Sequence, residues 1–253
     1  MNLIKVELMK IRRSRIFWIL LIPVIVLWIP QVINADMNFQ MQAEGITPEN
    51  NFLVQSFMAF AWIMYPASMV VCTVMMTQLE RTNRGILKML SLPVNTAALS
   101  MVKFVVLLIL AGIQMLLMTA AYFMCAAIVS QIHDYSFMLE PLKVFREIGL
   151  IYVSSIPMAA VFWMLAVCIQ TPIFSIGAGL ASIVPTVVIT NTKIWFAYPM
   201  SYPFYFMMNR MNSMGTGLED MKMEWFPLTA VAVAATVICL TVSCIAFGRA
   251  ERK

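Results

Sequence analysis

The chain has 253 residues, 62% of them hydrophobic and only 11% charged, which leaves too little polar surface for a soluble domain. Its net charge of +5 is unevenly spread between predicted loops, so it reads as a topology signal rather than a nucleic-acid footprint.

Five stretches contain no Asp, Glu, Lys, Arg or His: residues 16–35, 50–79, 104–132, 148–192 and 225–248, together more than half of the chain. A helix crosses a bilayer in about 20 mostly apolar residues. The fourth stretch is about two crossings long, and Gln170-Thr171-Pro172 divides it, because proline ends one helix and opens the next. The expectation is an all-α, polytopic membrane protein with six transmembrane helices near 16–34, 53–76, 101–130, 149–168, 173–190 and 228–247. They form a single transmembrane domain over 1–253.

In chain order, residues 1–15 come first. Ile4, Leu8 and Ile11 recur at spacings of four and three, with Lys5, Glu7, Lys10, Arg12 and Arg13 mostly between them. This suits an N-terminal interfacial helix whose basic groups face anionic headgroups. It serves either as an anchor for the first span or as a contact with a partner. The apolar run after it is long and lacks a convincing small-residue cleavage site, so it is read as a retained span rather than a signal peptide.

Residues 78–103 join the second and third spans. Glu80, Arg84 and Lys88 fall at i, i+4 and i+8, and Leu79, Ile86, Leu87 and Leu90 form the other face. The pattern predicts a short amphipathic helix ended by Pro93, which disfavours helical geometry in the residue before it. In the fifth span, Ser175, Gly177, Ala178, Gly179, Ala181 and Ser182 give small-xxx-small spacings that let helix backbones approach closely. Residues 193–227 follow outside that span. Their start is dense in aromatic residues and proline, including Trp195, Tyr198, Pro199, Tyr202, Pro203 and Tyr205. This is too apolar for a solvated loop and suits an aromatic belt at the headgroup level. Residues 212–224 read as a polar surface loop.

If the N-terminus is cytoplasmic, twelve of the 17 basic residues lie inside: Lys5, Lys10, Arg12, Arg13, Arg15, Arg81, Arg84, Lys88, Lys103, Arg249, Arg252 and Lys253. Lys143, Arg146, Lys193, Arg210 and Lys222 lie outside. The bias places both termini in the cytoplasm.

Several functions lose support. The charge-free stretches offer no carboxylate, histidine or basic group for an ion-coupled pump. There is no G-x-x-x-x-G-K-[ST] loop, no H-E-x-x-H pair and no G-x-S-x-G elbow, and the single histidine, His133, has no nameable catalytic partner. Cys72, Cys125, Cys168, Cys239 and Cys244 are odd in number and lack metal-type spacing. Gln55, Gln114, Ser154, Ser155 and Thr186 are the conspicuous polar groups available to line a lumen, and a pathway so poor in charge suits an amphiphilic substrate. The 24 methionines fit adaptable apolar contacts or irregular helix packing alike.

The arrangement Glu80, Gly85, Ile86-Leu87, Leu90-Ser91-Leu92-Pro93-Val94, then Lys103 entering the next span, resembles the coupling-helix region of type 2 ABC exporter permeases (ABC-2 family). Within that family it is similar to the six-span permeases of bacterial lantibiotic- and bacitracin-type immunity and resistance transporters. Asn95-Thr96 departs from the pattern, where relatives commonly carry Ser or Thr and then Arg. The resemblance implies a non-catalytic transport subunit in the bacterial cell membrane. Residues 78–92, with Glu80, Arg81, Arg84, Gly85, Leu87, Lys88, Leu90 and Pro93, would dock on a separate ABC ATPase that holds ATP and Mg. No cofactor is expected on this chain, and a second permease, a copy or a different chain, would supply the other half of the pathway. The resemblance also implies that Trp195, Tyr198, Pro199, Tyr202, Pro203 and Tyr205 belong to a pair of short re-entrant helices narrowing the outer mouth, a gate-plus-belt reading that fits the segment as well as the belt alone, since irregular backbone is allowed where it is buried in protein or lines a wet cavity. The implied substrate is an antimicrobial peptide. Another amphiphile, a drug or lipid, is the alternative, as is a membrane scaffold or sensor for a signalling kinase.

Overall fold

A computed structural model describes residues 3–12, 14, 16–40, 46–81, 95–215 and 225–250. Every regular element among them is helical. Six helices are long and apolar enough to span a membrane: Ile16–Ile33, Pro48–Leu79, Thr96–Ile132, Pro141–Cys168, Pro172–Thr190 and Trp225–Gly248. The break before Pro172 falls where expected, with Thr171 as N-cap and proline opening the helix.

The helices extend beyond the expected spans because local signals outrank charge. Pro48 and Pro141 open the second and fourth helices, where the missing proline N–H costs nothing. Asn95 caps the third, its side chain accepting from the Ala97 N–H at 2.9 Å. The departure at Asn95-Thr96 is thus a helix start. Among the described residues the last helix runs from Trp225, so residues 225–227 of the expected 193–227 segment are helical. Residues 212–215 are likewise helical rather than loop.

Prolines within spans act differently. Pro157 and Pro185 coincide with breaks, between Pro141–Ser154 and Ile156–Cys168 and between Pro172–Ile183 and Thr186–Thr190. Pro66 follows a π-helical turn, Phe60–Met64. The proline ring would press on the carbonyl four residues back, that of Trp62, and a widened turn there relieves the contact.

The spans alternate in direction. The N-terminal helix, Leu3–Arg12, packs on the start of the third span through Glu7 and Lys103. Cys244, near the end of the sixth, reaches the Ala97 carbonyl at 3.7 Å. Both ends of the described chain therefore meet on one face, called here the N-terminal face. At the opposite face an aromatic cluster joins the loops to the bundle. Trp28 and Phe137 lie 5.5 Å from Phe52 between ring centroids, and Phe39 lies 5.6 Å from Phe137. Tyr122 fixes the turn after the third span by donating to the Phe137 carbonyl and accepting from the Leu139 N–H, both at 3.2 Å.

Candidate functional site

At the N-terminal face, Ile4, Leu8 and Ile11 pack on the core while Lys5, Met9 and Arg12 are exposed. Glu7 is an exception to the basic outer face: it is buried, and its carboxylate lies 2.7 Å from both Lys10 and Lys103. Lys103 is only 1% exposed. A buried ammonium is costly unless paired, so the N-terminal helix is tied to the third span by charge as well as by apolar contact. The second span's helix continues through Leu79 to Arg81, so Glu80 and Arg81 extend a membrane helix toward the expected coupling segment. Arg84, Gly85, Leu87, Lys88, Leu90 and Pro93 lie outside the described residues, as do the side chains of Glu80 and Arg81.

The polar groups expected to line a lumen are arranged otherwise. Gln114 is fully buried, and its amide group exchanges hydrogen bonds with Ser68 at 2.7 and 2.9 Å. Ser155 pairs with Tyr65 at 2.7 Å, Ser154 donates to its own helix at 2.9 Å, and Thr186 is buried. Gln114, Ser154 and Ser155 are thus paired, in keeping with the cost of an unpaired polar group in hydrocarbon, whereas the buried Thr186 hydroxyl has no hydrogen-bond partner among the described residues. Gln55 lines a cavity at the opposite face.

The aromatic segment after the fifth span turns back into the bundle. Tyr198 donates to the carbonyl of Ser182, about halfway along the fifth span. Phe204 lies 6.0 Å from Trp62, about halfway along the second. Pro199, Met200, Ser201 and Tyr202 are buried. Two short 3-10 turns, Trp195–Ala197 and Pro199–Ser201, form the descending part, and the helix Tyr202–Gly215, with Pro203 in its first turn, forms the returning part. That helix reaches the level of Glu147, 3.1 Å from Arg210. Trp195 stacks on Tyr205 with centroids 3.5 Å apart and planes 11° apart, which fastens the descending turn to the returning helix.

The fifth span meets the second through Gly179. A Cβ there would fall 2.6 Å from Val70 Cγ1. Ser175 is buried on the same side, and Ser182 donates to the Gly179 carbonyl at 2.6 Å. Gly177 faces open space.

Comparison with known families places this arrangement. The family described as ABC-2 family transporter protein matches residues 3–188, from the N-terminal helix into the fifth span. The chain belongs to that family. It is a membrane permease component of an ABC transporter, a multi-pass protein whose family implies an ABC ATPase partner. The match covers residues 78–92, where the coupling segment is expected, and the Glu7–Lys103 pair, and it ends before the aromatic segment. No curated protein and no solved structure matches the permease.

Sequence reasoning missed the Glu7–Lys103 pair, although a signal existed: Lys103 is the sole charged residue of the third helix, and Glu7 the sole acid of the first 15 residues. It also missed the contact of Tyr135 with Glu49 at 2.5 Å, for which no local pattern exists, since the two lie 86 positions apart.

Proposed function

We propose that this permease is the membrane-spanning subunit of an ATP-driven exporter that removes antimicrobial peptides of lantibiotic or bacitracin type, or their lipid-bound complexes, from the bacterial membrane. Its N-terminal face is cytoplasmic, as the bias of basic residues indicates. ATP and Mg are held by a separate ATPase, which docks on residues 78–92. Tilting of the second and third spans, with the N-terminal helix carried along by Glu7 and Lys103, follows nucleotide-driven closure of that partner.

The pairing of polar groups inside the bundle supports the reading. Gln114 bonds to Ser68 and Tyr65 to Ser155 within the single chain, which favours an export route between two permeases rather than through one. The re-entrant segment at Trp195, Tyr198, Pro199, Tyr202, Pro203 and Tyr205 narrows the outer mouth of that route, and the close approach at Gly179 braces the helix it leans on.

The test replaces Glu80 and Leu87 with alanine. The variants insert in the membrane but no longer copurify with the ATPase in mild detergent, and cells lose resistance to peptide antibiotics. Unchanged association and resistance would refute the coupling assignment. A deletion strain that stays fully resistant to such peptides, yet becomes sensitive to another amphiphile, would refute the substrate.

A further inference from the structure

At the face opposite the N-terminal helix, a cavity of about 330 Å³ opens between the end of the first span and the start of the second. Among the described residues six carboxamides line it, Gln31, Asn34, Asn38, Gln40, Asn51 and Gln55, together with a proline and a methionine. The three asparagines are held in place. Asn34 and Asn38 donate to the Pro30 and Ala35 carbonyls at 3.0 and 2.9 Å, and Asn51 donates to Asn38 Oδ1 at 3.0 Å. Gln31, Gln40 and Gln55 make no hydrogen bond within the described residues.

Gln55 sits on the second span, seven residues beyond Pro48, or about 10 Å along the helix. Its half-buried carboxamide carries two donors and two acceptor lone pairs, and an occupant that excluded water without pairing them would be penalised. The lining therefore asks for an occupant with donors and acceptors close together. Among the described residues the lining contains no charged residue, so a phosphate, carboxylate or ammonium would lose hydration and gain no counter-charge from them. An acyl chain would leave the amides unpaired. A peptide backbone favours an extended edge or groove, whereas this compact cavity is at the small end of small-molecule sites. Vicinal hydroxyls fit, because each oxygen both donates and accepts.

We propose that the cavity binds a neutral polyhydroxyl group, the sugar headgroup of a membrane lipid. The site lies at the rim of the bundle, where such headgroups stand. It is independent of what the permease exports.

The full chain, purified in a sugar-free detergent, is placed in nanodiscs of phosphatidylglycerol with or without monoglucosyl-diacylglycerol. Retained lipid is read by native mass spectrometry and stability by the thermal midpoint. Parallel arms add free glucose or triglycine to phosphatidylglycerol discs. The wild type retains the glucosyl lipid over phosphatidylglycerol, and Gln31→Leu/Gln55→Leu reduces that preference about tenfold, as expected for losing two bonding amides. The midpoint in plain phosphatidylglycerol reports whether the variant folds; Gln31→Leu alone, at a half-exposed position, serves if the double variant does not. Stabilisation by free glucose, lost in the variant, assigns the same chemistry to a soluble sugar. Equal retention of both lipids without any glucose effect, an undiminished preference in a folded variant, or stabilisation by triglycine instead of sugar overturns the proposal.

Discussion

Lys103 on the third span and Glu7 on the N-terminal helix hold their charged groups 2.7 Å apart, both nearly out of reach of solvent. Breaking a buried pair from one side costs more than never having made it. Glu7→Gln removes the carboxylate that both Lys10 and Lys103 approach, and is expected to destabilise by about 3–5 kcal/mol. Lys103→Met costs less, since Glu7 retains Lys10 at 2.7 Å. The double variant Glu7→Gln/Lys103→Met is more stable than Glu7→Gln. Thermal unfolding of the four proteins in one detergent checks this order; additive losses would mean the pair is not coupled.

Gly179 is a contact requirement rather than a conformational one. An added Cβ would come within 2.8 Å of both Val70 methyl groups, closer than packed carbon atoms stand, and valine has little χ1 freedom with which to yield. Gly179→Ala is expected to cost about 1–3 kcal/mol, despite alanine's better helix propensity. Val70→Ala added to it restores much of the loss. Gly177→Ala, with nothing within 4 Å, leaves stability unchanged or raises it by up to about 1 kcal/mol. A double-mutant cycle measures the coupling, and equal effects at 177 and 179 would contradict the close approach.

The depth of the aromatic segment is measurable by labelling. In a cysteine-free background, Asn212→Cys, at an exposed position, reacts with a membrane-impermeant maleimide. Tyr198→Cys, beside Ser182, reacts only after denaturation. Rapid labelling at 198 in intact membranes would return the segment to the headgroup level or expose it to a water-filled route.

Much of the fold was legible because a bilayer makes apolar length the dominant signal. The split at Pro172 and the apolar face of Ile4, Leu8 and Ile11 needed only local reasoning. The readings that failed concern polar groups. Gln114 and Ser155 looked like lumen candidates because polarity along a span shows in one dimension, whereas their partners Ser68 and Tyr65 lie 46 and 90 positions away. The aromatic segment left two readings open for the same reason: composition puts tryptophan and tyrosine near an interface, but only the contacts with Ser182 and Trp62 give their depth. Charge was likewise used as a boundary marker, which shortened the second, third and fourth helices and left Lys103 as a span entry rather than half of an ion pair.

The contact between Tyr135 and Glu49 ties the turn after the third span to the start of the second, and it is sensitive to pH. Tyr135 donates to the Glu49 carboxylate at 2.5 Å; that bond, with some desolvation and the nearby negative charge, pushes the phenol up to about 12 from an ordinary value of about 10. Because the folded value is the higher one, the contribution to stability is complete below pH 10. It declines as pH rises toward 12, where the unfolded chain gives up the proton and the folded chain still holds it, and is gone above that. Other tyrosines and lysines titrate in the same window, so the informative quantity is the difference in thermal midpoint between wild type and Tyr135→Phe. That difference favours the wild type below pH 10 and shrinks between pH 10 and about 12. A difference that stays constant across the window would show that the phenol does not hold its proton for Glu49.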